Sequence, residues 1–278
     1  MQKEKSITNR VEFDFHNNIF RKYLSKEKFI SELEMSQLAS DISSTSNLFD
    51  TPNLIRSDHV NSILEFELID NAITLREYFI ALAGWGATPK QQSELCNIFY
   101  RLGQSIFIIH NRDINSINVS IRKFPSALFS QELIDQSVLI HGDFTLSNIL
   151  FTRKSERIDI IDWSTSPIFH YSANVGPRYW DLSFFISSLF YLSYSTFFSY
   201  QLRGKLVKEF LSGYLHDADL NSAVFLSELS GFLRRYNYYK LYYSDNKMKI
   251  NRSNQFLIKR TKSKLDAFIS LLPTLLND

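Results

Sequence analysis

The sequence is nearly without cysteine, and its glycines start late. A single cysteine, Cys96, excludes an intramolecular disulfide. That suits a reducing compartment, so a cytoplasmic location is expected. No glycine precedes Gly84, which excludes a glycine-rich loop from the first quarter of the chain. Neither sign of charge is in excess: 31 Lys and Arg face 29 Asp and Glu. No global field therefore points to a nucleic acid. The N-terminal stretch MQKEKSITNR is charged and no apolar run follows it, so no secretory signal is expected. One uncharged stretch, 182–202, is 21 residues long and could in principle span a bilayer. It carries six Ser and one Thr and directly follows RYWD. A buried pair of helices is expected there, and no membrane span.

The chain is 44% hydrophobic, enough for a real core. Val11, Phe13 and Phe15 alternate with polar residues and predict a strand. HNN (16–18) is a turn signal, and IFRKYL (19–24) is the returning strand. The spacing of Phe29, Leu33 and Met35 predicts a helix over 25–40, followed by a polar loop over 41–47. NLIRS and SILEFELI flank DHVN (58–61) as a second hairpin. After Asp70 the composition turns helical. TLREYF (74–79) reads as a short helix. Thr88-Pro89 opens a longer one whose apolar face is Leu95, Ile98, Phe99, Leu102, Ile106 and Ile109. SVLIHGD (137–143) is a short strand running into a loop. NILF and RIDIID flank TRKSE (152–156) as a third hairpin, and 182–272 reads as helices. A β-rich first quarter and a helical remainder give an α+β, two-lobed architecture, with lobes at 1–69 and 70–278.

Within HGDFTLSNILF (141–151) and the DWSTS that begins at 162, three polar side chains stand around two apolar runs. A loop Asp followed five residues later by Asn presents both into one cleft. An Asp closing the next hairpin returns to the same place. Phosphoryl transfer needs this set: a base beside the acceptor hydroxyl and oxygen ligands for the Mg²⁺ that bridges nucleotide phosphates. Asp143 would be the base, and Asn148 and Asp162 the metal ligands. Asp159, an odd number of positions from Asp162, should point away from the cleft.

HGDFTLSN followed by IDIIDWS resembles the motif of the aminoglycoside phosphotransferase and choline kinase family, which has the protein-kinase-like fold. Its pattern is H-G-D-x-x-x-x-N, a hairpin, then I-D-W or I-D-F. His141, Gly142, Asp143, Asn148, Ile161, Asp162 and Trp163 match it, and GPRYWDLSFF (176–185) is similar to a further family segment. The resemblance implies a small-molecule kinase that uses ATP and Mg²⁺ on a hydroxyl acceptor. It implies that Asp181 and His141 brace the catalytic loop, and that His141 transfers no proton. It puts Lys22 in the place of the lysine that binds nucleotide phosphates. That lysine's partner would come from the next helix: Glu32 fits better than Glu34 by its spacing to Met35 and Ala39. ILEFELI (63–69) resembles the hinge, where the backbone of Glu67 and Ile69 would bind adenine.

The first lobe departs from the family, which places a Gly-containing loop between its first two strands. Here only two strands precede the helix, so the first strand and its loop are expected to be missing. Asn17 and Asn18 could supply some of the lost backbone donors. The alternative to a kinase is therefore a pseudokinase that keeps the cleft and serves as a binding protein. A third reading, single-stranded nucleic-acid binding, rests on RRYNYYKLYY (234–243) with its interleaved aromatics. Its competitor, an amphipathic helix packing its tyrosines, is the expectation. After Asp181 the chain holds 13 Lys or Arg and 7 Asp or Glu, an excess of six positive charges. That excess would disfavour a polycationic acceptor.

Overall fold

A computed structural model describes residues 10–117, 119–121, 137–163, 173–191, 200–218, 220–247 and 252–276. Strands β1 (Arg10–Asp14) and β2 (Ile19–Tyr23) form a hairpin. Asn18 closes it at φ 58°, a conformation that Asn adopts more readily than most residues. Phe15, expected to continue the strand, opens the turn instead. Helix α1 (Lys26–Ser44) follows, then β3 (Leu54–Asp58) and β4 (Ile63–Glu67). The four strands make one sheet in the order β1-β2-β4-β3.

Register decides which side chains share a face. Lys22 lies opposite Val11 and Leu64, and Phe20 opposite Phe13 and Phe66. Since partners across a strand pair project to one side, these six share a face. Arg21, Glu65 and Asp14 take the other face, where Arg21 bonds Glu65 at 2.7 Å. Helix α1 runs longer than expected. The polar run after Ser40 looks like a loop, yet Ile42 is fully buried beside Leu38 and Ala39 and carries the helix on to Ser44.

The rest is helical around two small sheets. Helix α2 (Leu75–Trp85) starts at Thr74, whose hydroxyl caps Glu77 N–H while Glu77 reaches back in a capping box. Helix α3 (Pro89–His110) starts the same way with Thr88 and Gln91, and all six expected apolar positions are buried. A three-stranded sheet joins β5 (Ile73–Thr74), β7 (Ile149–Thr152) and β8 (Arg157–Ile160). Strand β6 (Ser137–Leu139) pairs with β9 (Val175–Pro177), a strand the sequence reading missed.

Helices α4 (Tyr179–Phe190), α5 (Tyr200–Leu215), α6 (Ser222–Lys247) and α7 (Arg252–Leu271) follow. Helices α3 and α5 cross so closely that a Cβ on Gly103 would stand 2.0 Å from the Phe210 carbonyl oxygen. Of the uncharged stretch 182–202, residues 182–187, 189 and 190 are buried, and 192–199 lie outside the described residues. Among the described residues no helix is long and apolar enough to cross a membrane.

Two apolar cores result. A small one holds Phe29, Leu64 and Phe66 between α1 and the four-stranded sheet. A large one runs from the second half of α1, at Met35, Leu38, Ala39 and Ile42, through the helical part. Asp50 joins the parts: its N–H bonds the Ile158 carbonyl at 2.8 Å and its carbonyl accepts Ile160 N–H at 3.0 Å. The end of β8 is thereby held to the connector between α1 and β3.

Candidate active site

The loop expected to be catalytic lies between β6 and β7, held from beneath by α4. Asp181, in the first turn of α4, is fully buried. Its two oxygens accept the His141 N–H at 2.8 Å and the Gly142 N–H at 2.9 Å. Trp180 adds a bond from Nε1 to the Gly142 carbonyl at 2.8 Å. Gly142 has φ 87°, and a Cβ there would meet the Ala173 oxygen at 3.0 Å, so the turn admits glycine.

His141 spans the two halves of the motif. Nε2 faces the Ile161 carbonyl at 3.0 Å and Nδ1 faces the Asp143 N–H at 3.2 Å. A carbonyl only accepts and an amide N–H only donates. The neutral Nε2–H tautomer therefore satisfies both. Burial pushes the imidazole below its ordinary pKa, in keeping with the neutral ring. Both nitrogens are thus engaged in the loop. The Ile161 N–H in turn donates to the Asn148 carbonyl at 3.0 Å, so Asp162 is fixed relative to Asn148 and Asp143.

Asn148 turns its amide nitrogen to Asp143, 2.9 Å from both the backbone oxygen and Oδ2. That orientation points the Asn148 oxygen elsewhere, as a metal ligand requires. Asp162 sits at φ 60°, unusual outside glycine. Its carboxylate and that of Glu32 both hold the Lys22 ammonium, Glu32 at 2.5 Å. Burial works against the charge on Lys22, but Glu32 and Asp162 outweigh it and hold the amine above its usual range. Asp162 also resists burial: Lys22 keeps its carboxyl below the usual range.

Lys22, Glu32 and Asp162 line one open cleft with Phe20, Phe66 and Ile160–Trp163. Glu67, Ile69, Asp143 and Asn148 do not line it. The Glu67 N–H donates to the Asn53 carbonyl at 2.9 Å and its carboxylate accepts from Asn53 Nδ2 at 2.6 Å. Ile69 follows β4 in the connector to β5. Asp159 is fully buried away from this cleft and is bonded by Arg157 at 2.7 Å.

Two participants escaped the sequence. His110, at the end of α3, faces Asp181 with Nε2 at 3.2 Å and the Tyr214 hydroxyl with Nδ1 at 2.9 Å. A carboxylate only accepts, so Nε2 carries the hydrogen and Tyr214 donates. Burial lowers the His110 pKa against the opposing influence of Asp181. The one signal was a histidine placed beside the apolar face of α3. In RRYNYYKLYY, Tyr236 packs against Trp180 and Phe184, while Tyr238 is exposed.

The oxygen donors suit a hard cation. Among the described residues no cluster of three or more His, Cys, Asp or Glu side chains forms a metal cage. Mg²⁺ does not need one: it takes one or two protein ligands and completes its shell with water and substrate phosphates.

The family model described as the phosphotransferase enzyme family matches residues 122–223. No curated protein matches the chain by sequence. Solved structures do match by fold. A choline/ethanolamine kinase family protein from Mesorhizobium loti superposes with a TM-score of 0.58 at 13% identity, over 98% of this chain and 90% of that one. A glucosamine kinase in complex with glucosamine, ADP and inorganic phosphate gives 0.60 at 13% identity, over 97% and 81%. An amicoumacin kinase with AMP-PNP and Ca²⁺ gives 0.52 at 12% identity, over 96% and 89%. The fold is thus protein-kinase-like, and the resemblance to the aminoglycoside phosphotransferase and choline kinase family stands on both the matched segment and the architecture.

Proposed function

We propose that this protein transfers the γ-phosphate of ATP to a hydroxyl of a small molecule, with residues 1–69 as the nucleotide-binding lobe and 70–278 carrying the catalytic loop and acceptor site. The observation that carries the reading is the convergence of Lys22, Glu32 and Asp162 at the cleft, with Asp162 locked through Ile161 and His141 to Asn148 and Asp143. Phe20 and Phe66, stacked with centroids 5.1 Å apart, form the apolar wall for a base. Because the Glu67 N–H is committed to Asn53, the hinge contacts fall to the Glu67 carbonyl and the Ile69 N–H. Lys22 neutralises phosphate charge while Glu32 orients it. Asn148 and Asp162 would hold Mg²⁺, which supplies charge neutralisation at the phosphates. Asp143 accepts the acceptor's hydroxyl proton, and Asn148 aims its carboxylate. Asp181 and His141 keep the loop in shape.

For the acceptor, the excess of positive charge after Asp181 favours a sugar, a phosphorylated metabolite or a glycan over a polycationic aminoglycoside. Two carboxylates of that region already accept a hydrogen bond, Glu228 from Tyr179 and Asp266 from Asn237. The pseudokinase reading draws support from the absence of glycine before Gly84.

Calorimetric titration of ATP with and without Mg²⁺ tests the cleft. The wild type should bind more tightly with Mg²⁺, and Asp162→Ala should lose most of that difference. Equal affinity with and without Mg²⁺ in the wild type would reject the metal site.

A further inference from the structure

Glu34 stands two residues beyond Glu32, so its side chain leaves α1 on nearly the opposite side, about 200° round the helix. It reaches the segment after α3. Oε1 accepts the Ser120 hydroxyl at 2.9 Å and Oε2 accepts the Ser120 N–H at 3.3 Å. The Ser120 carbonyl accepts Asn174 Nδ2 at 3.0 Å. The same nitrogen lies 3.5 Å from the Met35 sulfur, which returns the contact to α1. The Asn174 carbonyl accepts the N–H of Ile140, the residue before His141, at 2.9 Å. Asn174 itself is buried, and its neighbour Ala173 packs its carbonyl against Gly142. A continuous polar path therefore joins α1 to the catalytic loop.

Its position on the helix matters. Phe29 belongs to the small core under the sheet, whereas Met35, Leu38, Ala39 and Ile42 belong to the large core. Glu32 and Glu34 sit where α1 passes from one core to the other. A helix shared between two cores can tilt at that junction, and a tilt there would withdraw Glu32 from Lys22.

We propose that Glu34, Ser120 and Asn174 form a strap that fixes α1 to the catalytic loop and so holds Glu32 on Lys22. They are positioning residues and touch no reacting atom. The inference takes from the preceding section the reading of Lys22 and Glu32 as parts of the nucleotide cleft. Glu34 thus has a task of its own, separate from the one given to Glu32.

The test uses the full chain with Ser120→Ala, Glu34→Ala and the double variant. Ser120 is exposed and Glu34 half-buried, so neither change empties a core. The probe is acetic anhydride, with the modification rate of each lysine read by mass spectrometry. The Lys22 amine is largely covered between two carboxylates and is shielded from the reagent. If the strap holds α1, Lys22 should be acetylated about three- to tenfold faster in each single variant, the range set by one hydrogen-bonded link of modest net strength. The double variant should go no further than the faster single one, because both break the same link. Exposed Lys205 and Lys259, remote from the cleft, should keep their rates. The KM for MgATP should rise by a similar factor, with kcat falling less. Unchanged Lys22 rates in both single variants, or equal acceleration at Lys205 and Lys259, would overturn the strap. Faster Lys22 labelling with an unchanged KM would overturn its positioning role. If the wild type turns over no acceptor, the phosphotransferase reading fails, and the Lys22 rates alone still decide the strap.

Discussion

The loop from His141 to Asn148 and the first sheet stand at opposite ends of a scale of burial. His141 and Asp181 are fully buried, and Asp143 and Asn148 nearly so. Across the cleft, Val11 and Phe13 of the sheet and Phe15 of its first turn are 47%, 58% and 78% exposed. The loop rests on the large core and is held by bonds to Asp181 and Trp180, with His110 bonded to Asp181 behind it. The sheet rests on three buried side chains and the partly buried residues around them. On the proposed reading the difference separates two tasks: groups that meet reacting atoms sit on the heavily buried part, and surfaces that admit and release a nucleotide sit on the thin part. Changes in the loop should therefore cost chemistry or fold, and changes in the sheet should cost affinity.

The largest effect outside the reacting groups is expected at Asp181. Asp181→Ala strands the His141 and Gly142 N–H groups and removes the partner of His110. Each stranded buried donor costs about 1–3 kcal/mol. Urea unfolding should show a lower midpoint with an unchanged slope. A wild-type midpoint would place the support of the loop elsewhere.

A smaller effect is expected from Asp162 in the absence of nucleotide. Its carboxyl is held below its usual value of 3.8, chiefly by Lys22 acting against burial. A depressed carboxyl contributes stability above its unfolded value and loses it as pH falls through the folded one. For Lys22, raised above 10.5, the sign reverses: its contribution is full below that value and fades as pH climbs past it. Asn tolerates φ 60° as well as Asp does. The stability gap between wild type and Asp162→Asn should thus be flat from mild acid to neutral pH and close below 3.8. Thermal midpoints across that range give the profile. A gap that widened in acid would mean that Lys22 does not hold this carboxyl.

The smallest effect is expected at the exposed edge. Phe15→Ser touches one aromatic contact, to Phe13, at 6.1 Å. Stability should change by less than about 0.5 kcal/mol, as for most surface substitutions. A large loss would erase the contrast between loop and sheet.

Much of this was legible in the sequence because it is local. The helix start at Thr88-Pro89, the buried face of α3, the hairpin turns and the spacing from Asp143 to Asn148 each lie within a few residues. Strand alternation turned Asp159 from the cleft, and the family resemblance marked Lys22. What stayed hidden needed partners far along the chain. β9 is three residues containing Gly and Pro, and only its pairing with β6 makes it a strand. Helix α1 continues past Ser40 because Ile42 finds a core that its own polar neighbours do not announce. His110 and Asp181 are 71 positions apart, and no periodicity links them. Asp162's positive φ is set by the loop around it, and its short contact to Lys22 spans 140 positions.

The central claim is that Asp143 accepts a proton from an acceptor hydroxyl while the cleft holds MgATP. Its most direct test is transfer of the γ-phosphate from ATP to a panel of sugars, phosphorylated metabolites and aminoglycosides, in wild type and Asp143→Asn, with ATP affinity measured in parallel. The amide is isosteric but cannot take the proton, so turnover should fall about 10²–10⁴-fold while MgATP binding stays near wild type. A sugar or phosphorylated acceptor should show the higher kcat/KM. Undiminished turnover in Asp143→Asn would contradict the assignment of the base, and a wild type that binds MgATP yet phosphorylates nothing in the panel would favour the binding protein over the enzyme.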